Sequence, residues 1–330
     1  MTGTQHISVA MCTCNGAAYL CHQLDSIAGQ SRRPDELVVC DDCSADSTVP
    51  IVEQYAATAP FPVHLHVNGQ RLGVTKNFEK AISLCQGDLI ALADQDDVWF
   101  AEKLARLEMP FAKTPDVGLV FADAALVDED LRPQGSSLWQ AVGFNQHEQE
   151  LARTGRMIEV LLRHQVVAGA TMMFRASFTP VVLPIPDLWL HDSWIALLVA
   201  ATSDVALVTE PLGEYRQHSQ QATGAPHRTL AQRWERGLRP ANETLGIVAD
   251  KHRLAWDRLQ KAGTARARPD ALSEIASMIE HAQRRALLPP QRRGRWAIVL
   301  DEWRRGRYQR YSNSWKSAVK DLCLPQTSRP

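Results

Sequence analysis

Along residues 7–94, short apolar runs alternate with stretches of helical spacing. The runs 7–12 (ISVAMC), 36–41 (ELVVCD), 63–67 (VHLHV) and 88–94 (DLIALAD) predict strands. Between them, helices are predicted over residues 19–27 and from SADST at Ser44 through Ile51, Val52, Tyr55 and Ala56, and 73–85 (GVTKNFEKAISLC) reads as a loop running into a helix. Strands this apolar, separated by helices, are buried on both faces, so the fold class is α/β with a mostly parallel central sheet. Residues 117–128 (VGLVFADAALVD) and 166–175 (VVAGATMMFR) read as further strands, and 188–201 (LWLHDSWIALLVAA) as a mostly apolar helix. One domain is drawn over residues 1–225 and a basic helical extension over 226–330, with 262–270 (AGTARARPD) as linker candidate.

In such sheets, ligands bind at the carboxyl ends of the strands. Three of these ends are polar here: Thr13 with Asn15, Asp41 with Asp42, and Asp94 with Asp96 and Asp97. The stretch 91–100, ALADQDDVWF, sets three carboxylates behind an apolar run, and desolvated carboxylates need a cation, donors or water. In an extended turn, the D-x-D spacing lets Asp94 and Asp96 reach one site. Mg2+ or Mn2+ suits that arrangement, because it takes few carboxylates and fills its shell with diphosphate oxygens and water. An ordinary solvated acidic turn has the same spelling. Asp97 reads as the cap of a following helix. Asp41 can accept a hydrogen bond from a nucleobase imide. His191 and Asp192 precede an apolar run, which suits either a partly desolvated general base or a helix N-cap. The chain has no Walker A loop, no GxGxxG after the first strand and no HExxH, which argues against P-loop hydrolysis and dinucleotide oxidoreduction.

In order, ISVAMCTCNGAAYL, ELVVCDDCSADST, GVTKNFEKA, LIALADQDDVW, GATMMFR, LHDSW and YRQHSQQATG resemble the family 2 glycosyltransferases of GT-A (nucleotide-diphospho-sugar transferase) fold, over roughly residues 7–224. DQDDVW with HDSW and YRQH is most similar to the bacterial rhamnosyltransferase-like branch, which uses dTDP-L-rhamnose. The resemblance implies an inverting, metal-dependent transfer of a sugar, from a dTDP- or UDP-sugar, to a saccharide or lipid-linked saccharide in cell-surface polysaccharide synthesis. Asp192 is implied as general base. Thr13, Asn15, Asp41, Lys76, Asp94, Gln95 and Arg216 are implied at the donor, and Asp96 and His218 at Mg2+ or Mn2+. Gly169, His191 and Trp194 are implied at the acceptor, with Gly169 admitting the acceptor or only allowing a turn. Cys43 stands where the family usually has glycine. The QxxRW motif of processive synthases is not met, which favours single addition. A nucleotide-sugar binding protein without turnover is the rival reading.

Charge adds a division of labour. Residues 1–225 carry 14 Lys/Arg against 27 Asp/Glu, whereas residues 226–330 carry 22 against 10. A basic tail faces something anionic or docks on the acidic part. Within it Trp296, Val299, Leu300, Trp303, Tyr311, Trp315, Val319 and Leu322 recur near helical intervals among Arg292, Arg293, Arg295, Arg304, Arg305, Arg307 and Arg310. That pattern suits an interfacial helix on anionic lipid, or packing on the first domain or on a second subunit of a homo-oligomer. No nucleic-acid-binding module accompanies the charge. Seven irregularly spaced cysteines favour a reducing compartment. Cys12, Cys14, Cys40 and Cys43 match no zinc module, and buried apolar thiols are the plainer reading. With no leader-like N-terminus and no long apolar run, the expected location is cytoplasmic, or peripheral on the inner face of a membrane.

Overall fold

The structure, a computed structural model, describes residues 5–219, 221, 242–261 and 267–324. It divides into two compact units, Met1–Met157 with Val166–Ala225, and Ile158–Gln165 with Pro226–Pro330.

The first unit is built on a sheet with nine strands among the described residues. They are β1 (Ile7–Thr13), β2 (Glu36–Asp41), β3 (Val63–Val67), β4 (Leu89–Asp94), β5 (Val98–Trp99), β6 (Val117–Val127), β7 (Pro133–Ser137), β8 (Met172–Arg175) and β9 (Asp204–Arg216). Their order is β3-β2-β1-β4-β8-β6-β9-β5, with β7 beside β6. The β3-β2-β1-β4 half is parallel throughout, as helical crossovers require. The other half is mixed: β6 and β9 are parallel, whereas β8 runs against both β4 and β6, and β5 against β9. The strand expected over 166–175 is confined to β8, because Gly169–Thr171 winds into a 3₁₀ turn.

The apolar runs alternate across the sheet with period two. Ile7, Val9, Met11, Leu37, Val39, Leu89, Ala91 and Ala93 form one core with Leu20, Leu24, Ile27, Val52, Leu104, Leu107 and Phe111. These last residues belong to the helices Leu20–Ala28, Thr48–Ala56 and Lys103–Lys113. The helix Val74–Leu84 packs on β1 and β2 through buried Phe78, Ala81 and Ile82, and touches the helix His191–Ala200. In that second helix His191 and every residue from Trp194 to Ala200 is buried, which explains why it is apolar on all sides.

Because β1 lies between β2 and β4, the chain order reverses there, and such a reversal opens a crevice at the strand ends. Cα partners at that edge are Cys12 with Asp94 and Thr13 with Asp41. The polar strand ends singled out in the sequence therefore meet.

The second unit contains the helices Asn242–Lys261, Pro269–Ala286, Arg292–Arg304, Arg307–Tyr311 and Trp315–Cys323. Residues 262–266 of the linker candidate lie outside the described residues, and Pro269 already opens a helix, where its missing N–H costs nothing. Part of the basic surplus is consumed internally. Arg285 Nε donates to Asp321 Oδ2 at 2.6 Å, as does the Tyr308 hydroxyl at 2.6 Å. His281 Nδ1 meets Glu302 Oε2 at 2.6 Å, and Arg295 donates to the carbonyls of Pro289, Pro290, Asp321 and Leu324. No helix among the described residues is long and apolar enough to cross a membrane.

Candidate active site

A cleft of about 630 Å³ opens at the β1/β4 edge. Thr13, Asn15, Tyr19, Asp42, Arg71, Phe78, Asp94, Gln95, Asp96, Tyr215 and His218 are among the residues of its wall.

The loop after β1 is stitched to the end of β4 by Gln95. Its Oε1 accepts the Cys14 N–H at 2.8 Å and its Nε2 donates to the Cys14 carbonyl at 3.2 Å. Gly16 permits this approach, since a Cβ there would lie 2.1 Å from Gln95 Oε1. Asn15, at φ 49°, accepts the Ala45 N–H at 2.8 Å, and its own N–H donates to Ser44 Oγ at 2.8 Å. Thr13 donates its hydroxyl to Asp41 Oδ2 at 2.8 Å.

Asp41 is turned away from the cleft. It is fully buried and accepts the Thr13 hydroxyl together with the Ser44 N–H and hydroxyl, which closes the turn after β2. Its neighbour Asp42 reaches the wall instead and anchors the next loop, accepting the N–H groups of Leu72 at 2.6 Å and Gly73 at 2.9 Å.

The acidic turn after β4 holds the charge. Asp96 Oδ2 and His218 Nε2 stand 2.8 Å apart, both largely buried, and the imidazole lies on the Tyr19 ring with centroids 4.6 Å apart. Burial, followed by the nearby carboxylates of Asp96 and Asp192, pushes Asp94 up to about 7. Burial, with Asp96 and Asp94, also raises Asp97 well above the usual carboxylate range. Asp97 is not a helix cap. The chain enters β5 directly after it, and its carboxylate accepts the Arg216 N–H at 3.1 Å. Behind this turn lies Lys103, buried, over the Trp99 ring at 4.1 Å and donating to the Ala170 carbonyl at 2.6 Å. Burial lowers Lys103 to about 7 against the opposing pull of Asp97 and Asp94.

Other expected site residues lie elsewhere. Arg216 is buried and donates from Nε to the Asp96 carbonyl at 2.6 Å and from Nη1 to the Glu129 carbonyl, so it braces the acidic turn and is not part of the cleft wall. Lys76 donates to the Ile185 carbonyl at 2.6 Å and to Glu79 at 2.9 Å, tying its helix to residues 185–187. Trp194 is completely buried, its indole N–H bonded to the Val182 carbonyl at 2.7 Å, so it cannot touch an acceptor. Gly169 is buried and makes room for a side chain of the chain itself, because a Cβ there would lie 2.7 Å from His191 Nε2.

His191 and Asp192 open their helix next to the cleft. The His191 ring stacks on Phe78 with centroids 3.9 Å apart, and Phe78 is part of the wall. Burial lowers the His191 pKa, and neither ring nitrogen has a hydrogen-bond partner among the described residues. Among the described residues, half-buried Asp192 accepts only local bonds, from the Ser193 N–H at 2.6 Å and its hydroxyl at 3.2 Å. Tyr19, Arg71, Phe78, Lys103 and Tyr215 were not anticipated; Tyr19, Phe78 and Lys103 gain their place through His218, His191 and Ala170, all remote in sequence.

No group of three or more His, Cys, Asp or Glu side chains among the described residues is assembled to hold a metal ion. The donors present nevertheless fit Mg2+ or Mn2+. One carboxylate and one imidazole face a cleft wide enough for a diphosphate, and Asp94 beside them is held up by burial and by the carboxylates of Asp96 and Asp192, charge that a cation would offset.

The family model described as Glycosyl transferase family 2 matches residues 8–179, more than half of the chain. The chain belongs to this family. As a family 2 glycosyltransferase it has the GT-A fold, with the C-terminal helices added. An uncharacterized protein of Mycobacterium tuberculosis is 24% identical over 318 residues, 91% of this chain and 86% of its own length. The dTDP-rhamnosyl transferase RfbG of Shigella flexneri is 32% identical over 98 residues, 28% of this chain and 34% of its own. Among solved structures, S. aureus TarS 1-349 in complex with UDP-GlcNAc superposes with a TM-score of 0.60 at 16% identity, covering 98% of this chain and 93% of that one. The mannosyltransferase PcManGT of Pyrobaculum calidifontis, in complex with GDP-Man and Mn2+, superposes with a TM-score of 0.54 at 16% identity, covering 97% and 86%.

Proposed function

We propose that this glycosyltransferase moves L-rhamnose from dTDP-rhamnose, with inversion, to a hydroxyl of a saccharide or lipid-linked saccharide in cell-surface polysaccharide synthesis. The observation that carries the catalytic part is the convergence of Asp94, Asp96 and His218 on one cleft, within electrostatic reach of Asp192. The rhamnose donor rests on DQDDVW, HDSW and YRQH and on the local likeness to a dTDP-rhamnosyl transferase.

Asp96 and His218 would hold Mg2+ or Mn2+, which when bound offsets the negative charge that grows on the departing diphosphate. Thr13, Asn15, Asp42 and Gln95 order the loops that receive the nucleotide, and Arg71 adds positive charge at the same wall. Asp192 takes the proton of the acceptor hydroxyl as its oxygen bonds to the anomeric carbon. The bond from that carbon to the diphosphate breaks, and its electron pair leaves with the nucleotide. His191 backs the site and does not meet the acceptor, because both ring nitrogens are buried and the ring is packed against Phe78 and Gly169.

The test is a thermal-shift and turnover screen of nucleotide sugars with Mn2+, because a ligand that binds the native state raises its melting point. A shift and donor consumption with dTDP-rhamnose are expected. A response to a UDP-sugar alone would remove the rhamnose assignment, and binding without turnover of any donor would remove catalysis.

A further inference from the structure

The basic, tryptophan-bearing tail is not absorbed by sugar transfer, and the structure separates its side chains into two sets. Val299, Tyr308 and Tyr311 are buried within the second unit, with Arg295 and Arg307. Trp296, Leu300 and Trp303 on the helix Arg292–Arg304 are exposed, as are Trp315 and Val319 on the helix Trp315–Cys323. Trp296 is 64% exposed and Trp315 60%. At about 3.6 residues per turn, Trp303, Trp296 and Leu300 fall on one stripe of their helix. Arg292 lies at one edge of it and Arg293 and Arg304 at the other, all three exposed. Arg293 and Arg304 pair with no carboxylate among the described residues, whereas Arg305 and Arg310 are held by Asp301 and Glu274.

We propose that this face is a docking surface for an anionic lipid bilayer. Indoles are favoured at the headgroup level, where the ring is dry and the N–H wet, and flanking arginines meet lipid phosphates. The local charge selects this occupant over a second copy of the chain. Two such faces brought together would set Arg293 and Arg304 against their own kind, which disfavours self-association. Residues 226–330, with 22 Lys/Arg against 10 Asp/Glu, are the part of the sequence that an anionic surface attracts. Docking would hold the enzyme by its second unit, without a spanning helix.

The full chain is sedimented with vesicles of phosphatidylglycerol and phosphatidylcholine in equal parts, and with phosphatidylcholine alone, while tryptophan emission is followed. Binding to the anionic vesicles only, with a blue shift and weakening by salt, is expected. The pairs Arg293→Glu/Arg304→Glu and Trp296→Ser/Leu300→Ser should each weaken binding at least about tenfold with unchanged melting points. Arg293 and Arg304 are exposed and make no side-chain hydrogen bond or ion pair among the described residues, so the arginine pair remains decisive if the tryptophan pair misfolds. Undiminished binding by the arginine pair, equal binding to both vesicle types, or a wild-type dimer that binds neither would overturn the proposal.

Discussion

His218 Nε2 stands 2.8 Å from Asp96 Oδ2 although 122 residues separate them in the chain. The contact joins the end of β4 to the segment just after β9, and Tyr19 supports the imidazole from one side. Two donors held this way on a cleft wall leave most of a divalent ion's shell to diphosphate and water. Asp96→Ala and His218→Ala should each abolish the Mn2+-dependent rise in melting point with nucleotide. Turnover should fall at least about a hundredfold, since even indirect partners of a metal cost ten- to a hundredfold. A His218→Gln protein with an unaltered Mn2+ response would take His218 out of the metal site.

Asp192 sits in the first turn of its helix and, among the described residues, accepts hydrogen bonds only from Ser193 on Oδ1, which leaves Oδ2 for an acceptor. A general base contributes about 10²–10⁴ in rate. Asp192→Asn should lower kcat by that order while nucleotide affinity, read by calorimetry, stays within about twofold of wild type. Equal losses in nucleotide affinity and turnover would instead place Asp192 on the donor.

The sheet half β3-β2-β1-β4 was legible because its strands are buried runs bounded by polar ends, and strand order alone then brings those ends together. The direction of individual side chains was not. Lys76, Arg216 and Trp194 carry the right chemistry at the right place in the sequence, yet each is engaged by the protein itself. The Lys76 carbonyl partner is 109 residues away and that of Arg216 120 residues away, so no local pattern records either bond. Asp41 and Asp42 are adjacent, and only the tertiary pairing of Asp41 with Thr13 and Ser44 decides which one meets the cleft. Lys103 lies in the unremarkable stretch AEKLARL and becomes significant only where the fold sets it behind the acidic turn.

Cys43 was legible as a departure, and its backbone shows the consequence at φ 61°, a left-handed conformation that suits glycine. That region costs a residue with a β-carbon about 1–2 kcal/mol. The extra freedom of glycine in the unfolded chain returns roughly 0.5–1 kcal/mol of the gain. Cys43→Gly should therefore stabilise by about 0.5–1 kcal/mol, raising the calorimetric midpoint of the first unit by roughly 1–3 °C. A lower midpoint would mean that the Cys43 side chain holds the turn through contacts of its own.

Gly169 offers the sharpest discrimination between admitting an acceptor and admitting His191. A Cβ at 169 would meet His191 Nε2 at 2.7 Å and Asp192 Cβ at 3.7 Å. His191 is wedged against Phe78 and has little room to withdraw. Gly169→Ala should then destabilise the fold by about 1–3 kcal/mol through overpacking. In a His191→Ala background the same substitution should cost little, giving a coupling energy of about 1 kcal/mol or more in a double-mutant cycle followed by chemical unfolding. If Gly169 instead admits the acceptor, the two substitutions would add in stability, and Gly169→Ala would raise the KM for acceptor in either background.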